Sequence, residues 1–402
     1  MTAKSSSPSS PGVAASTRSG LPATFDFRPS TRVVASAGAL DRLGELTREL
    51  GGSRVLVVTD PGLEAAGHPQ RAVASLQAAG LQTWLFDAVE QNPTARHVEA
   101  GRAIAAKWQI DCLVAVGGGS SMDCAKGINF LYTNGGTMAD YAGFGKATKP
   151  MLPSIGIPTT AGTGSEGQSY ALIADDETHM KMACGDPKAA FRIAILDPVL
   201  TVSQPARVTA VTGIDALSHA LESYVCTARG ALSQMYSLQA WRLLEPKLEI
   251  VLREPTNLAA RAAMQIGANF AGTAIENSML GACHACANPL TAHYGLTHGV
   301  AIGILLPHVV RFNAVVVGEL YADLVHDAGL LNGDESAAGE LLARRITDLM
   351  RIAGLPTTLR ECGVSEGILG VLADEASLQW TARFNPRPVT DSELLHLYQA
   401  AL

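Results

Sequence analysis

Residues 111–128 read DCLVAVGGGSSMDCAKGI, an apolar run, three consecutive glycines and then a stretch with helix character. No other feature restricts the fold of this chain more. The run CLVAV has no polar side to turn toward water, so a strand built from it needs cover on both faces, as in a parallel sheet of alternating strands and helices. Gly117, Gly118 and Gly119 let the backbone turn tightly and approach a ligand without a Cβ in the way. Ser120 or Ser121 is placed to cap the following helix, and Asp123 falls in its first turn. Free N–H groups and the positive end of the helix dipole then face whatever lies above the strand, a position that suits a diphosphate. The run is neither the GxGxxG fingerprint, because Met122 stands at the third glycine position, nor a GxxxxGK[ST] loop.

The flanking sequence repeats the pattern. SRVLVVT (53–59) predicts a buried strand, HPQRAVASLQAAG a helix, LQTWLFDAV a strand and EAGRAIAAKWQ a helix. This order predicts an α/β fold with a doubly wound parallel sheet, Rossmann-like in organisation. A second loop, IPTTAGTGSEGQS, follows another apolar run and gathers Thr159, Thr160 and Thr163 with Gly162 and Gly164. Two such loops favour a dinucleotide over a single phosphate group. Asp60 ends the first strand, where a carboxylate can accept hydrogen bonds from a ribose and repel a 2′-phosphate; an aspartate opening the turn at Pro61-Gly62 is an equal local explanation.

From Pro205 onward, Ala/Leu-rich stretches with helical spacing dominate, such as ALSQMYSLQAWRLLEPKLEIVL (231–252). The predicted organisation is a disordered Ser/Pro-rich tail at 1–22, a dinucleotide-binding domain at 23–203 and an all-α domain at 204–402. A length of 402 residues, 47% of them hydrophobic, is enough for two cores. The formal charge of −7 argues against a nucleic-acid partner. The apolar run VAIGILLPHVV (300–310) is short and interrupted by Pro307, so no membrane span is predicted. Seven scattered cysteines, an odd number, predict free thiols and a cytoplasmic setting. Cys283 and Cys286 form one CxxC spacing, with no second pair to complete a zinc ribbon.

GIDALSHALE (213–222) places Asp215 and His219 four residues apart, on one face of a helix. His284 and His298, in CHACANPLTAHYGLTHG, would lie roughly 21 Å apart on a continuous helix. Breaks predicted at Asn288-Pro289 and Tyr294-Gly295 would let both rings reach one point. One carboxylate and three imidazoles would suit Fe²⁺ or Zn²⁺. His293 and His308 remain candidates to line the same pocket.

Together GGGSSMDCAK, PTTAGTGSE, GIDALSHALESY and CHACANPLTAHYGLTHG resemble the iron-containing (group III) alcohol dehydrogenase family, within the dehydroquinate synthase-like superfamily; the likeness runs from about residue 24 to the end. The resemblance implies metal ligands at Asp215, His219, His284 and His298. It implies diphosphate contacts at Gly118, Gly119 and Ser120, and cofactor-side positions at Asp123, Thr159, Thr160, Thr163, Asn92 and Lys181. Asp60 matches the acid that favours NAD over NADP. The implied reaction is hydride transfer between NAD(H) and a small alcohol or its aldehyde or ketone, whose oxygen meets the Fe²⁺ or Zn²⁺. Homodimers are usual in the family. One departure stands out: Asn288 occupies a place where many members carry a histidine that relays a proton. An amide can hydrogen-bond a substrate hydroxyl but does not titrate near neutral pH, so water, the ribose hydroxyl or another side chain such as His293 is left to carry the proton. Glycerol dehydrogenase-like and maleylacetate reductase-like enzymes share the scaffold, and a non-catalytic NAD- or metal-sensing protein is the alternative outside enzymology.

Overall fold

The computed structural model describes residues 27–177, 180–330 and 334–402; the tail predicted at 1–22 lies outside the described residues. The first half alternates β1 (Arg32–Ala35), α1 (Leu43–Glu49), β2 (Arg54–Val58), α2 (His68–Ala78), β3 (Gln82–Phe86), α3 (Ala95–Trp108), β4 (Cys112–Gly117) and α4 (Gly119–Asn134). It continues with β5 (Gly143–Phe144), β6 (Ser154–Pro158), β7 (Tyr170–Ala174), β8 (Lys181–Gly185) and β9 (Ile193–Leu196). Six strands form a parallel sheet in the order β1-β9-β6-β4-β2-β3. Side chains alternate across it as strand geometry requires. Val55, Val57, Val114 and Val116 pack with Leu43 and Leu46 of α1 and Leu76 of α2. Leu56, Val58, Leu113 and Ala115 pack on the other side with Val98 of α3 and Met122 and Ile128 of α4. The sheet is therefore doubly wound, and the unbroken apolar strands follow from cover on both faces.

The chain leaves β2 toward β3 on one side and toward β4 on the other. Their C-terminal ends flank the crevice where such sheets bind ligands. β4 and β6 are neighbours, with Gly117 opposite Pro158, so the glycine turn and the threonine-rich loop emerge side by side. The small sheet β5-β8-β7 had no clear signal in the sequence.

The second half is helical: α5 (Ala206–Val225), α6 (Ala231–Arg253), α7 (Leu258–Glu276), α8 (Ala282–Tyr294), α9 (His298–Asp327), α10 (Ala338–Ile352), α11 (Leu369–Ser377) and α12 (Asp391–Ala401). Two expectations are corrected here. α8 does not break at Asn288-Pro289; it runs through Pro289 to Tyr294 and stops at Gly295, whose φ of 59° ends the helix. Burial nearly all round its first part, at 282–287, Pro289 and Leu290, holds the helix in place across the missing N–H. α9 likewise continues through Pro307 and kinks at Val317, whose φ of −129° and ψ of 25° are not helical. By length and composition alone it is long and apolar enough to cross a membrane, a length the run at 300–310 did not show. Its apolar window is 67% buried within the helical half, as in a core helix.

The two halves meet where the threonine-rich loop lies against α7. Gly164 has φ of 59°, and a Cβ added at Gly272 would sit 2.2 Å from the Gly164 carbonyl oxygen. Backbone meets backbone here, so no side chain can rotate away. Gly272→Val is expected to destabilise the protein by about 3 kcal/mol, the upper range for overpacking, read from chemical denaturation. A loss below roughly 0.5 kcal/mol, the level of an inert surface change, would mean that α7 shifts freely from the loop.

Candidate metal centre and cofactor cleft

Asp215 and His219 stand one turn apart on α5, His284 lies in the first turn of α8, and His298 is the first residue of α9. The turn at Gly295 folds the start of α9 back toward the start of α8. The result is convergence on a single atom. Nε2 of His219, His284 and His298 lie 3.5, 3.7 and 3.7 Å from Asp215 Oδ1. The His219 and His284 rings stack at 4.9 Å between centroids.

These separations are too long for strong hydrogen bonds. Asp215 Oδ1 and His284 Nε2 are both buried without a hydrogen-bond partner, a condition that costs roughly 1–3 kcal/mol per group. A tetrahedral ion with bonds of about 2.1 Å holds its ligand atoms roughly 3.4 Å apart. The donor atoms therefore fit a divalent cation such as Fe²⁺ or Zn²⁺. Ligand atoms of Asp215, His284 and His298 lie within 4.8 Å of one another, the one such His/Cys/Asp/Glu group among the described residues; His219 joins it through its contact with Asp215 Oδ1.

Glu222 completes the arrangement. Its Oε2 accepts from His284 Nδ1 at 2.5 Å, and its Oε1 accepts from the Cys283 backbone N–H at 2.9 Å. With Nδ1 engaged as donor, Nε2 keeps its lone pair toward the cluster, the arrangement by which a carboxylate orients a metal-binding histidine. Burial alone would lower the pKa of His284. The facing carboxylates of Asp215 and Glu222 outweigh burial and raise it to about 9 without an ion, so a cation binding here would displace the Nε2 proton and free that lone pair. Burial also opposes ionisation of Asp215, yet the surrounding rings, His219 foremost, hold its carboxyl well below the usual range. For His298, burial dominates and lowers the pKa to about 3, so that ring is neutral and able to donate a lone pair. Sequence reading missed Glu222, although a signal was present: it follows Asp215 by seven residues and His219 by three, on the same helix face.

The cluster closes one end of a cleft of about 600 Å³. Gly118, Gly119, Ser120, Asp123, Thr160, Thr163, Asn92, Lys181 and Asn288 all line it, together with the four cluster residues. α4 begins at Gly119, so its N-terminus opens into the cleft. A Cβ on Gly119 would lie 2.7 Å from Thr163 Cγ2, and one on Gly117 would lie 2.3 Å from Ser121 Oγ. A side chain at either place would displace Thr163 or Ser121, so the two glycines let the turn pack directly against the threonine-rich loop and the first turn of α4. Beneath it Ser165 Oγ donates to Asp123 Oδ1 at 2.6 Å, and the buried Lys126 ammonium donates to the Ser165 and Tyr170 carbonyl oxygens. This network ties α4 to the threonine-rich loop.

Not every predicted site residue reaches the cleft. Thr159 is buried at the end of β6, with its N–H donating to the Gly117 carbonyl, and does not line the cavity. Asp60 stands behind the glycine turn, where its Oδ2 accepts from Ser121 Oγ at 3.2 Å and burial raises its pKa. It too is absent from the cavity lining. His293 is corrected outright: its Nε2 faces both Glu375 oxygens at 2.9 Å, away from the cleft. The cause is the unbroken α8. Nine residues at about 100° each put His293 roughly opposite His284 on the helix. His308, in the body of α9, does not line the cleft either. Asn288 does, and its Nδ2 donates to Gln379 Oε1. Cys283 and Cys286 are buried free thiols within the helical core. Trp380 and Thr381, which line the cleft along with Ile275 and Leu280, carried no sequence signal.

Residues 30–198 match the family model described as iron-containing alcohol dehydrogenase, and residues 209–402 match the C-terminal region of the Fe-containing alcohol dehydrogenase family. The chain is 35% identical over 381 residues to 1,3-propanediol dehydrogenase of Klebsiella pneumoniae, across 94% of this chain and 98% of that protein. It is 34% identical to the NAD-dependent methanol dehydrogenase of Bacillus methanolicus, across 94% and 99% of the two chains. The crystal structure of a 1,3-propanediol oxidoreductase superposes with a TM-score of 0.91 at 34% identity, over 94% of this chain and all of that one.

Proposed function

The chain belongs to the iron-containing alcohol dehydrogenase family and is an alcohol dehydrogenase; from that premise we propose that it transfers hydride between NAD(H) and a small alcohol and its aldehyde or ketone, with Fe²⁺ held by Asp215, His219, His284 and His298. The observation that carries this reading is the approach of three imidazole nitrogens to one unpartnered carboxylate oxygen, inside the cleft onto which the glycine turn also opens. Bound there, a divalent cation supplies Lewis-acid stabilisation of negative charge on the alcohol oxygen, and the dinucleotide supplies the hydride acceptor.

The residues of the chain do the rest. The N-terminus of α4, with Gly119 and Ser120, presents N–H groups to a diphosphate. Thr160 and Thr163 offer hydroxyls beside it, and Asn92 and Lys181 offer donors on the opposite wall. Ile275, Leu280 and Trp380 exclude water from the reacting end and favour a short apolar carbon chain there. With Asn288 bonded to Gln379 and His293 turned out to Glu375, the only imidazoles among the described residues of this cleft are the three in the cluster. We therefore assign the departing proton to water. The preference for NAD over NADP rests on the match of Asp60 to the family's acidic residue at the end of the first strand, since its carboxylate lies outside this cavity. The same reading carries a homodimer and a cytoplasmic setting; all seven cysteines are unpaired thiols, which fits a reducing compartment.

The test is reconstitution. Protein stripped by a chelator should lose NADH formation from short alcohols, regain it with Fe²⁺, and prefer NAD to NADP. Zn²⁺ run in parallel decides between the two ions. Undiminished turnover in demonstrably metal-free protein would end this reading.

A further inference from the structure

We propose that Lys126 positions the cofactor by charge: buried beneath the glycine turn, its ammonium offsets the Asp123 carboxylate, so that a diphosphate meets the N-terminus of α4 with no bare negative charge behind it. This rests on the reading above, in which a dinucleotide lies along that turn.

Asp123 and Asp215 are the acids among the residues that line the cleft. Asp215 belongs to the cation site. Asp123 stands on α4, four residues after Gly119 and one turn below the N–H groups at the start of the helix. Like charges repel, so an ionised carboxylate there works against a second anion. Its place is nevertheless fixed by packing. Its Oδ1 accepts from Ser165 Oγ at 2.6 Å, which fastens α4 to the threonine-rich loop, and the Leu172 backbone N–H also favours the charged form. The acid that holds this side of the cleft together is therefore a liability to the ligand unless a cation stands close by.

Lys126 is that cation. It follows Asp123 by three residues on one face of α4, its side chain is 1% exposed, and its Nζ lies 3.8 Å from Asp123 Oδ1. All three N–H groups are engaged, at 2.8 Å with the carbonyl and hydroxyl oxygens of Ser165 and at 2.7 Å with the Tyr170 carbonyl. The Ser165 hydroxyl thus accepts from the ammonium and donates to the carboxylate, so one oxygen joins the two charges. Burial opposes either charge alone, and for each the first influence against burial is the other member of the pair. Lys181 also acts on Asp123, but it lines the cleft on the ligand's side and meets the cofactor directly. Glu166 and Glu276 act on Lys126 as well; Glu166 is bonded to Asn269, and Glu276 to the Ser169 N–H and hydroxyl. Neither glutamate lines the cleft, and nor does Lys126. The lysine therefore reaches the ligand only through Asp123 and the loop. A neutral donor of the same reach would keep the loop bonded and leave the carboxylate bare.

The experiment uses the full chain loaded with its metal ion, titrated calorimetrically with ADP-ribose at pH 8. This probe carries the diphosphate and takes no part in hydride transfer. K126M should bind it about tenfold more weakly, the scale of one charge roughly 10 Å from another at an effective dielectric near 20. D123N should bind it at least as tightly as the wild type, because the amide keeps an oxygen for Ser165 and drops the charge. The double variant D123N/K126M should recover most of the affinity lost in K126M, although it restores none of the bonds to Ser165 and Tyr170. A purely structural role for Lys126 gives the opposite order, because the two defects then add. A double variant no tighter than K126M, or a D123N variant that binds more weakly than the wild type, would overturn the proposal. Should K126M not fold, the D123N comparison still decides. Wild-type protein that binds ADP-ribose but oxidises no alcohol would count against the functional reading alone, and wild-type protein that fails to bind ADP-ribose would overturn this proposal as well.

Discussion

Replacing Asp215 with asparagine is expected to reduce kcat/KM for alcohol oxidation by about a thousandfold, the scale of losing a catalytic Lewis acid. Metal content should fall with it. Asparagine keeps the shape of the side chain but removes the only negative charge among the four donors. Three neutral imidazoles then face a divalent cation without charge compensation, in a site that is buried on three of its four sides: Asp215, His219 and His284 are each no more than 6% exposed. The amide would also bring an N–H toward three ring nitrogens that need their lone pairs for the ion. The check is paired: steady-state kinetics, and metal per chain by elemental analysis, with circular dichroism to confirm folding. Turnover within tenfold of wild type, with metal retained, would show that the histidines alone hold the ion.

Glu222→Ala is expected to weaken metal binding by 10- to 100-fold, the usual cost of losing a carboxylate that orients a liganding histidine. Glu222→Gln should fall between, because it can still accept from His284 Nδ1 but without charge. A second effect is separable. Glu222 also accepts from the Cys283 N–H at the start of α8, so the alanine variant leaves a buried donor unpaired and should lose roughly 1–3 kcal/mol of stability even without metal. Chelator competition measures the first effect and denaturation of metal-free protein the second. Lower stability with unchanged metal affinity would reduce Glu222 to a cap on α8, with no part in holding the ion.

These two predictions mark where sequence reading reached and where it stopped. Asp215 and His219 were legible as a pair because four residues on one helix bring side chains to one face whatever the rest of the protein does. The glycine turn was legible for a similar reason: a buried strand ending in glycines before a helix has few other shapes. Glu222 could have been read by the same periodicity, extended by one turn. The site failed to be legible where the reasoning depended on whether a helix continued. A break at Pro289 was predicted from the missing N–H alone, yet α8 runs on because its small apolar residues are buried in the helical core. That continuity turned His293 from a candidate relay into a surface partner of Glu375. Thr159 was misplaced for a related reason. Its neighbours Thr160 and Thr163 face the cleft, and which residues of a loop do so depends on where the strand beneath it stops.

The sequence by itself offered Asp215 and His219 as a pair, the strand–glycine–helix turn and the alternation of a wound sheet with a helical half, since each follows from short-range spacing and burial; His284 and His298 joined the pair there through the family resemblance. Only the tertiary structure decided that the start of α9 returns to the start of α8 and that Glu222 holds the His284 ring. Those placements depend on how separate helices pack, and packing is a property of the assembled core that no local period encodes.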